Sequence, residues 1–226
     1  MVRTLGLIAI CLSVHFGFAS TCSAGVLLIS NLPGEDNRFT RFDGVTHGSD
    51  RTKFMGFELP NGPDYLLSDV TLRLKVMGDN IAPDVRIFSN TNDNLPGDLL
   101  VNLVNPTFGD VDKIADYSFT PAGPLIFEAG QAYWIGVSHT GDLNDPATHF
   151  QWMASQPGQE PSGIATHFGS QIQAVASGSI EPSEVLNSYA VSGSVVPEPA
   201  SLAVWSAMCV VGFGWGFRRR RMMAIR

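Results

Sequence analysis

The central stretch of this chain has no cysteine. Its three cysteines, Cys11, Cys22 and Cys209, lie near the two ends. Residues 25–195 can therefore form neither a disulfide nor a thiolate metal site. A domain of this size buries enough surface to do without one. Cations are also sparse. No Lys or Arg occurs from 114 to 217, and residues 25–195 hold 8 Lys and Arg against 20 Asp and Glu, a formal charge of about −12. Neutralising phosphates needs clustered cations, so nucleic acid is excluded as a partner. Adhesion to anionic membrane surfaces by charge is excluded on the same ground. A sustained helical period is missing too, which argues against a helical domain.

Chemical motifs are equally scarce. There is no His-Glu-x-x-His pair, and His47, His139, His149 and His167 sit at spacings that fit no helix-borne metal site. The stretch GVSHT at 136–140 fails the nucleophile-elbow pattern at its last position. Among 20 acidic residues nothing selects a pair for glycoside hydrolysis. The expectation is a protein without catalysis of its own.

What the sequence does have is alternation. In SDVTLRLKV, residues 68–76, Val70, Leu72, Leu74 and Val76 point one way while Thr71, Arg73 and Lys75 point the other. That is a half-buried antiparallel strand. Further strands are expected at 26–30, 53–59, 85–89, 99–104, 115–120, 132–138, 149–154, 171–176 and 187–195. Gly and Pro together make 37 residues, enough to punctuate a dozen turns. Short strands separated by such turns predict an all-β fold, an antiparallel β-sandwich of jelly-roll-like type, over residues 25–195.

The two ends read differently. At the start, Arg3 precedes an apolar run from Leu5 to Ala19, followed by small residues. This predicts a cleavable signal peptide over residues 1–24, cut by signal peptidase between Ala24 and Gly25, with an alternative cut near 17–19. At the other end, residues 201–217 form a 17-residue stretch without a charge. As a helix it would span about 26 Å, close to a hydrocarbon core of about 30 Å. Arg218, Arg219, Arg220 and Arg221 stop it and hold it with the arginines cytoplasmic. The predicted topology places the acidic domain outside.

A plain anchor has no need of Val196, Pro197, Glu198 and Pro199 immediately before the span. The order Val-Pro-Glu-Pro, short apolar span, Arg cluster resembles the PEP-CTERM sorting signal of exported bacterial proteins, here over residues 196–226. The resemblance implies recognition by an exosortase, removal of the tail, and delivery to the cell surface or extracellular matrix. The central domain resembles the choice-of-anchor type on four pieces: residues 29–32, LSDVTLRL at 67–74, VRIFSNTNDNLPGDLL at 85–100 and IFEAGQAYWIGV at 126–137. That likeness implies a surface destination and leaves the biochemical role open.

Two ligand sites are carried by residue type. Asn90, Asn92, Asp93 and Asp98 crowd one loop, and oxygen-rich loops can take calcium. The same residues are also good turn formers, because Asn and Asp bond their own backbone. No other cofactor is implied. Tyr133 and Trp134 are neighbours on a strand and must face opposite sides, so one covers the far face of its sheet. With Trp152 they are candidates to stack on a sugar, or else core residues. Three readings follow: a structural or adhesive surface component associated with exopolysaccharide, a carbohydrate-binding module with a structural calcium, and a matrix polysaccharide hydrolase.

Overall fold

A computed structural model describes residues 25–42, 51–81, 83–140, 145, 148–174 and 178–197. These form fourteen strands and, among the described residues, no α-helix. In chain order they are β1 (Val26–Ser30), β2 (Arg38–Phe42), β3 (Arg51–Glu58), β4 (Tyr65–Val76), β5 (Pro83–Asn90), β6 (Pro96–Val104) and β7 (Ile114–Pro121). Then follow β8 (Ile126–Phe127), β9 (Ala132–His139), β10 (Phe150–Ala154), β11 (Ser162–Gly163), β12 (Thr166–Ala174), β13 (Ile180–Pro182) and β14 (Tyr189–Val195). All pairings are antiparallel, in the order β11-β1-β14-β4-β7-β6-β5-β9-β3-β12-β13, with β10 joining β4 to β2 and β8 beside β4.

The chain of pairings narrows at β6 and β7, which share only Leu103↔Pro121 and Val104↔Thr120. On one side of this link lies a half centred on β4, on the other a half centred on β9 and β3. The two halves face each other, as ring contacts across them show. Phe57 of β3 meets Phe127 of β8 at 5.4 Å between centroids, and His139 of β9 stacks on Phe150 of β10 at 6.1 Å. The result is a sandwich-like all-β domain.

Strand alternation builds its core. Val70, Leu72, Leu74 and Val76 of β4 are all buried and join Ile135 and Val137 of β9 and Met55 and Phe57 of β3 in one cluster. The expectation for residues 68–76 is thus met, and β4 extends it toward its N-terminus. The expected strand at 26–30 is β1. β2, β8, β11 and β13 were not anticipated.

β3 is buried on both faces. The outward face of its sheet carries Phe54, Phe88, Trp134 and Phe168, packed edge to face. Glycines beneath them make room. A methyl at Gly136 would lie 2.6 Å from the Phe88 ring and 2.9 Å from Phe54, and one at Gly56 would lie 2.7 Å from Phe168. Gly136→Ala should therefore lift this layer and destabilise the domain by about 1–3 kcal/mol. Thermal unfolding with tryptophan emission checks it: an unchanged melting temperature would mean that the rings shift at no cost.

Candidate functional site

Three strands and the segment after β13 meet at one corner of the sandwich. There the edge strand β2 approaches the start of β3, the strand β12 and the residues that follow β13. Lys53 lies on the same face of β3 as Met55 and Phe57 and is 0% exposed. A buried lysine is rare unless it is paired. Here its ammonium has two hydroxyl partners: Nζ donates to Ser170 Oγ at 2.6 Å and, in a very short contact, to Ser183 Oγ. Ser170 Oγ in turn donates to the Val185 carbonyl at 3.0 Å, and the Val185 amide donates to Ser183 Oγ at 3.3 Å. Both hydroxyls are thereby oriented with a lone pair toward Lys53. Desolvation by burial lowers the ammonium pKa to about 7.

Ser183 is where this buried group meets solvent. It lies between two clefts. The first, about 440 Å³, is lined by Phe39, Arg41, Arg51 and Ser183 over an apolar floor of Ile172 and Val185. The second, about 420 Å³, is walled by Glu160, His167, Glu184 and the two serines. Burial pushes the His167 imidazole below its ordinary value, against the opposing pull of Glu160. The first cleft thus offers cations and a ring, the second carboxylates. Phe39 is 48% exposed, because β2 turns Thr40 and Phe42 into the core and Phe39 outward.

The residues expected to bind ligands lie elsewhere. Trp152 is in the core at 0% exposure, its indole N–H donating to the Ser188 carbonyl at 2.8 Å. Tyr133 and Trp134 face opposite sides as alternation requires. Tyr133 packs inward against Phe57 and Phe127, and burial raises its phenol pKa. Trp134 covers the far face but is itself 0% exposed, under Phe168 and Phe54 and tied by its N–H to Asn90 Oδ1 at 2.8 Å. None of the three offers a ring face to a ligand, so sugar stacking has no surface to act through at these positions.

The Asn and Asp loop forms the turn between β5 and β6. Asn94 adopts a left-handed φ of 56°. Its amide donates to the Thr91 carbonyl at 3.1 Å, and Asn90 Nδ2 donates to Asn94 Oδ1 at 3.2 Å. The Asp98 amide donates to Ser89 Oγ at 2.9 Å. Asn92, Asp93 and Asp98 stand exposed. The Asn90 oxygen that would face a calcium ion is committed to Trp134. Among the described residues no three His, Cys, Asp or Glu side chains are grouped to hold a metal.

Of the sorting motif, Val196 donates its amide to the Asp64 carbonyl at 2.9 Å, and Pro197 follows it, exposed. Glu198, Pro199, the apolar span 201–217, Arg218 to Arg221 and Ala24 lie outside the described residues; Gly25 is exposed. No helix among the described residues is long and apolar enough to cross a membrane. No protein-family model matches the chain, and no curated protein shows significant similarity to it.

The corner site itself escaped sequence reasoning. Lys53 is separated from its partners by 117 and 130 residues, so no local spacing announces it. One signal was present: Arg38, Arg41, Arg51 and Lys53 are four of the 8 cations between 25 and 195.

Proposed function

We propose that this chain is an exported bacterial surface or matrix component, sorted by an exosortase through its C-terminal tail and serving a structural or adhesive role in exopolysaccharide. The observation that carries the reading is the ordered triplet of Val196–Pro199, the uncharged span 201–217 and the four arginines after it. The precursor is threaded with its domain outside and its arginines inside, and the tail is transient. The arrangement of the domain suits such a role. β14, the last strand before the motif, lies between β1 and β4 and is hydrogen-bonded to both. Tension applied through the tail would load a central strand in shear rather than peel an edge. We read the domain as jelly-roll-like, on the repeated passage of the chain between its two halves.

Intact mass of the protein recovered from the native cell surface tests the sorting. The expected product begins near Gly25 and ends near Pro199, with or without an adduct. A product retaining Arg226 would make the apolar span a permanent anchor and end the exosortase reading.

A second reading, a carbohydrate-binding module, is favoured by one specific observation: the exposed ring of Phe39 beside two arginines in a cleft.

A further inference from the structure

We infer that Ser183 is a nucleophile activated by Lys53 and that it cleaves esters joining a short uncharged acyl group to a polyhydroxylic alcohol, an activity beyond the structural and sorting reading. The hydrogen-bond pattern is the first argument. Lys53 Nζ reaches two serine hydroxyls, and the two are not equivalent. Ser170 Oγ gives its proton to the Val185 carbonyl at 3.0 Å, so it offers Lys53 only a lone pair, at 2.6 Å. Ser183 Oγ accepts the Val185 amide at 3.3 Å, and among the described residues the atom placed to take its proton is Lys53 Nζ. Once neutral, the amine keeps an N–H for Ser170 and one lone pair for the Ser183 proton. Nucleophile and base are thus within hydrogen-bond reach, and a third group, Ser170, positions the base. Burial favours the protonation state this needs. Lys53 is 0% exposed, and desolvation brings its pKa to about 7, where a general base works best at neutral pH.

Access is the second argument. A buried base serves only if its nucleophile can be reached. Ser170 is buried, whereas Ser183 is half-buried and lines both clefts. On one side it borders the apolar floor of Ile172 and Val185. On the other it borders the carboxylates of Glu160 and Glu184. An apolar acyl group covers the floor. The carboxylates accept hydrogen bonds from the hydroxyls of the alcohol part and repel an anionic acyl group. The substrate class that fits both sides is a short acyl ester of a sugar or other polyol. In the first half-reaction Lys53 Nζ takes the Ser183 proton as Oγ bonds to the ester carbonyl carbon. The bond from that carbon to the alcohol oxygen then breaks, the alcohol leaves with the proton, and the acyl group stays on Ser183. Water takes the alcohol's place in the second. It gives a proton to Lys53 and bonds to the same carbon, and the carboxylic acid departs as Ser183 Oγ recovers the proton.

The test uses the full-length chain in detergent and two probes: peracetylated glucose, followed by acetate release, and a fluorophosphonate, followed by peptide mass. The expected results are a protein-dependent release of acetate that rises with pH through about 7, and a phosphonyl adduct on Ser183. The charged and titratable groups at the two clefts are Arg41 of β2, Arg51 of β3, His167 of β12, Glu160 and Glu184. His167 titrates below its ordinary value, so a rise near pH 7 reports Lys53. Ser183→Ala and Lys53→Met should each lower the rate by about 100-fold or more. Lys53→Met should do so with a melting temperature no lower than that of wild type, which separates lost chemistry from a lost fold. Ser170→Ala removes a bond that favours the ammonium, so it should move the pH profile to lower pH. No acetate release, no adduct on Ser183, a rate indifferent to Ser183→Ala or to Lys53→Met, or a flat pH profile would each overturn the inference. Sorting is read on the cell-surface product and hydrolysis on the purified chain, so the failure of one leaves the other standing.

Discussion

Lys53→Met should make this protein more stable, and most of the gain should depend on pH. The ammonium of Lys53 is buried beside two serine hydroxyls and, among the described residues, no carboxylate bonded to it, and its pKa falls from 10.5 to about 7. Above pH 10.5 the amine is neutral in both folded and unfolded chains, and its titration costs nothing. As pH falls from 10.5 towards 7, the unfolded chain takes up a proton that the folded chain does not. Stability is therefore lost over that window, and below pH 7 the loss stays constant. At about 1.4 kcal/mol per pH unit the ceiling is near 5 kcal/mol. Methionine has similar length and no charge, so it removes this desolvation cost while keeping most of the packing. Ser170 keeps its bond to the Val185 carbonyl and Ser183 keeps the Val185 amide, so neither is orphaned. Denaturant melts from pH 6 to 10.5 are the measurement. Wild type should gain stability relative to the variant across the window and the gap should close at the alkaline end, while above about pH 10 both should lose stability because burial holds the Tyr189 and Tyr133 phenols above their ordinary value. His167 titrates lower still and falls outside this window. A variant less stable at pH 7 would mean that the Lys53–serine bonds outweigh the desolvation cost.

The strands were legible in the sequence to the extent that one face was apolar and the other polar. β4 announces itself because Val70, Leu72, Leu74 and Val76 alternate with polar residues. β2 does not. In Arg38–Phe42 the inward positions are Thr40 and Phe42 and the outward ones include Phe39, so the apolar signal is split between faces. The reason Thr40 can face inward is a long-range partner, Asn187, that no local pattern reveals. β3 was legible as a strand but not as one buried on both faces, because the rings covering its outer side come from β5, β9 and β12. For the same reason Trp134 reads equally well as a binding platform or a packed ring until Phe168 is placed over it. The corner site is assembled entirely from such distant contacts. Its cationic part was visible as a cluster at 38–53, while Ser170 and Ser183 were indistinguishable from any other serines.

Asn187→Leu should cost about 2–4 kcal/mol, a fall of roughly 5–15 °C in melting temperature for a domain of this size. Asn187 is fully buried and is the node of a polar network that closes one end of the sandwich. Its Nδ2 donates to the Trp152 carbonyl at 2.7 Å, and its Oδ1 accepts from Thr40 Oγ1 at 3.0 Å. Its own carbonyl accepts from Asn31 Nδ2 at 3.1 Å, and Asn31 Oδ1 accepts the Tyr189 amide at 2.8 Å. The side chain thus ties β2 to β10, and through Asn31 its backbone ties the end of β1 to the start of β14. Leucine has nearly the same volume, so the substitution tests hydrogen bonding rather than packing. It leaves the Thr40 hydroxyl without its acceptor and the Trp152 carbonyl without this donor, both in a low-dielectric interior where unmade bonds are expensive. Adding Thr40→Val should recover part of the loss, because it removes the orphaned hydroxyl. Chemical unfolding of the two variants separates the alternatives. Loss in the single variant with partial recovery in the double one is the expected pattern. A single variant as stable as wild type would show that apolar packing alone holds this end of the sandwich closed.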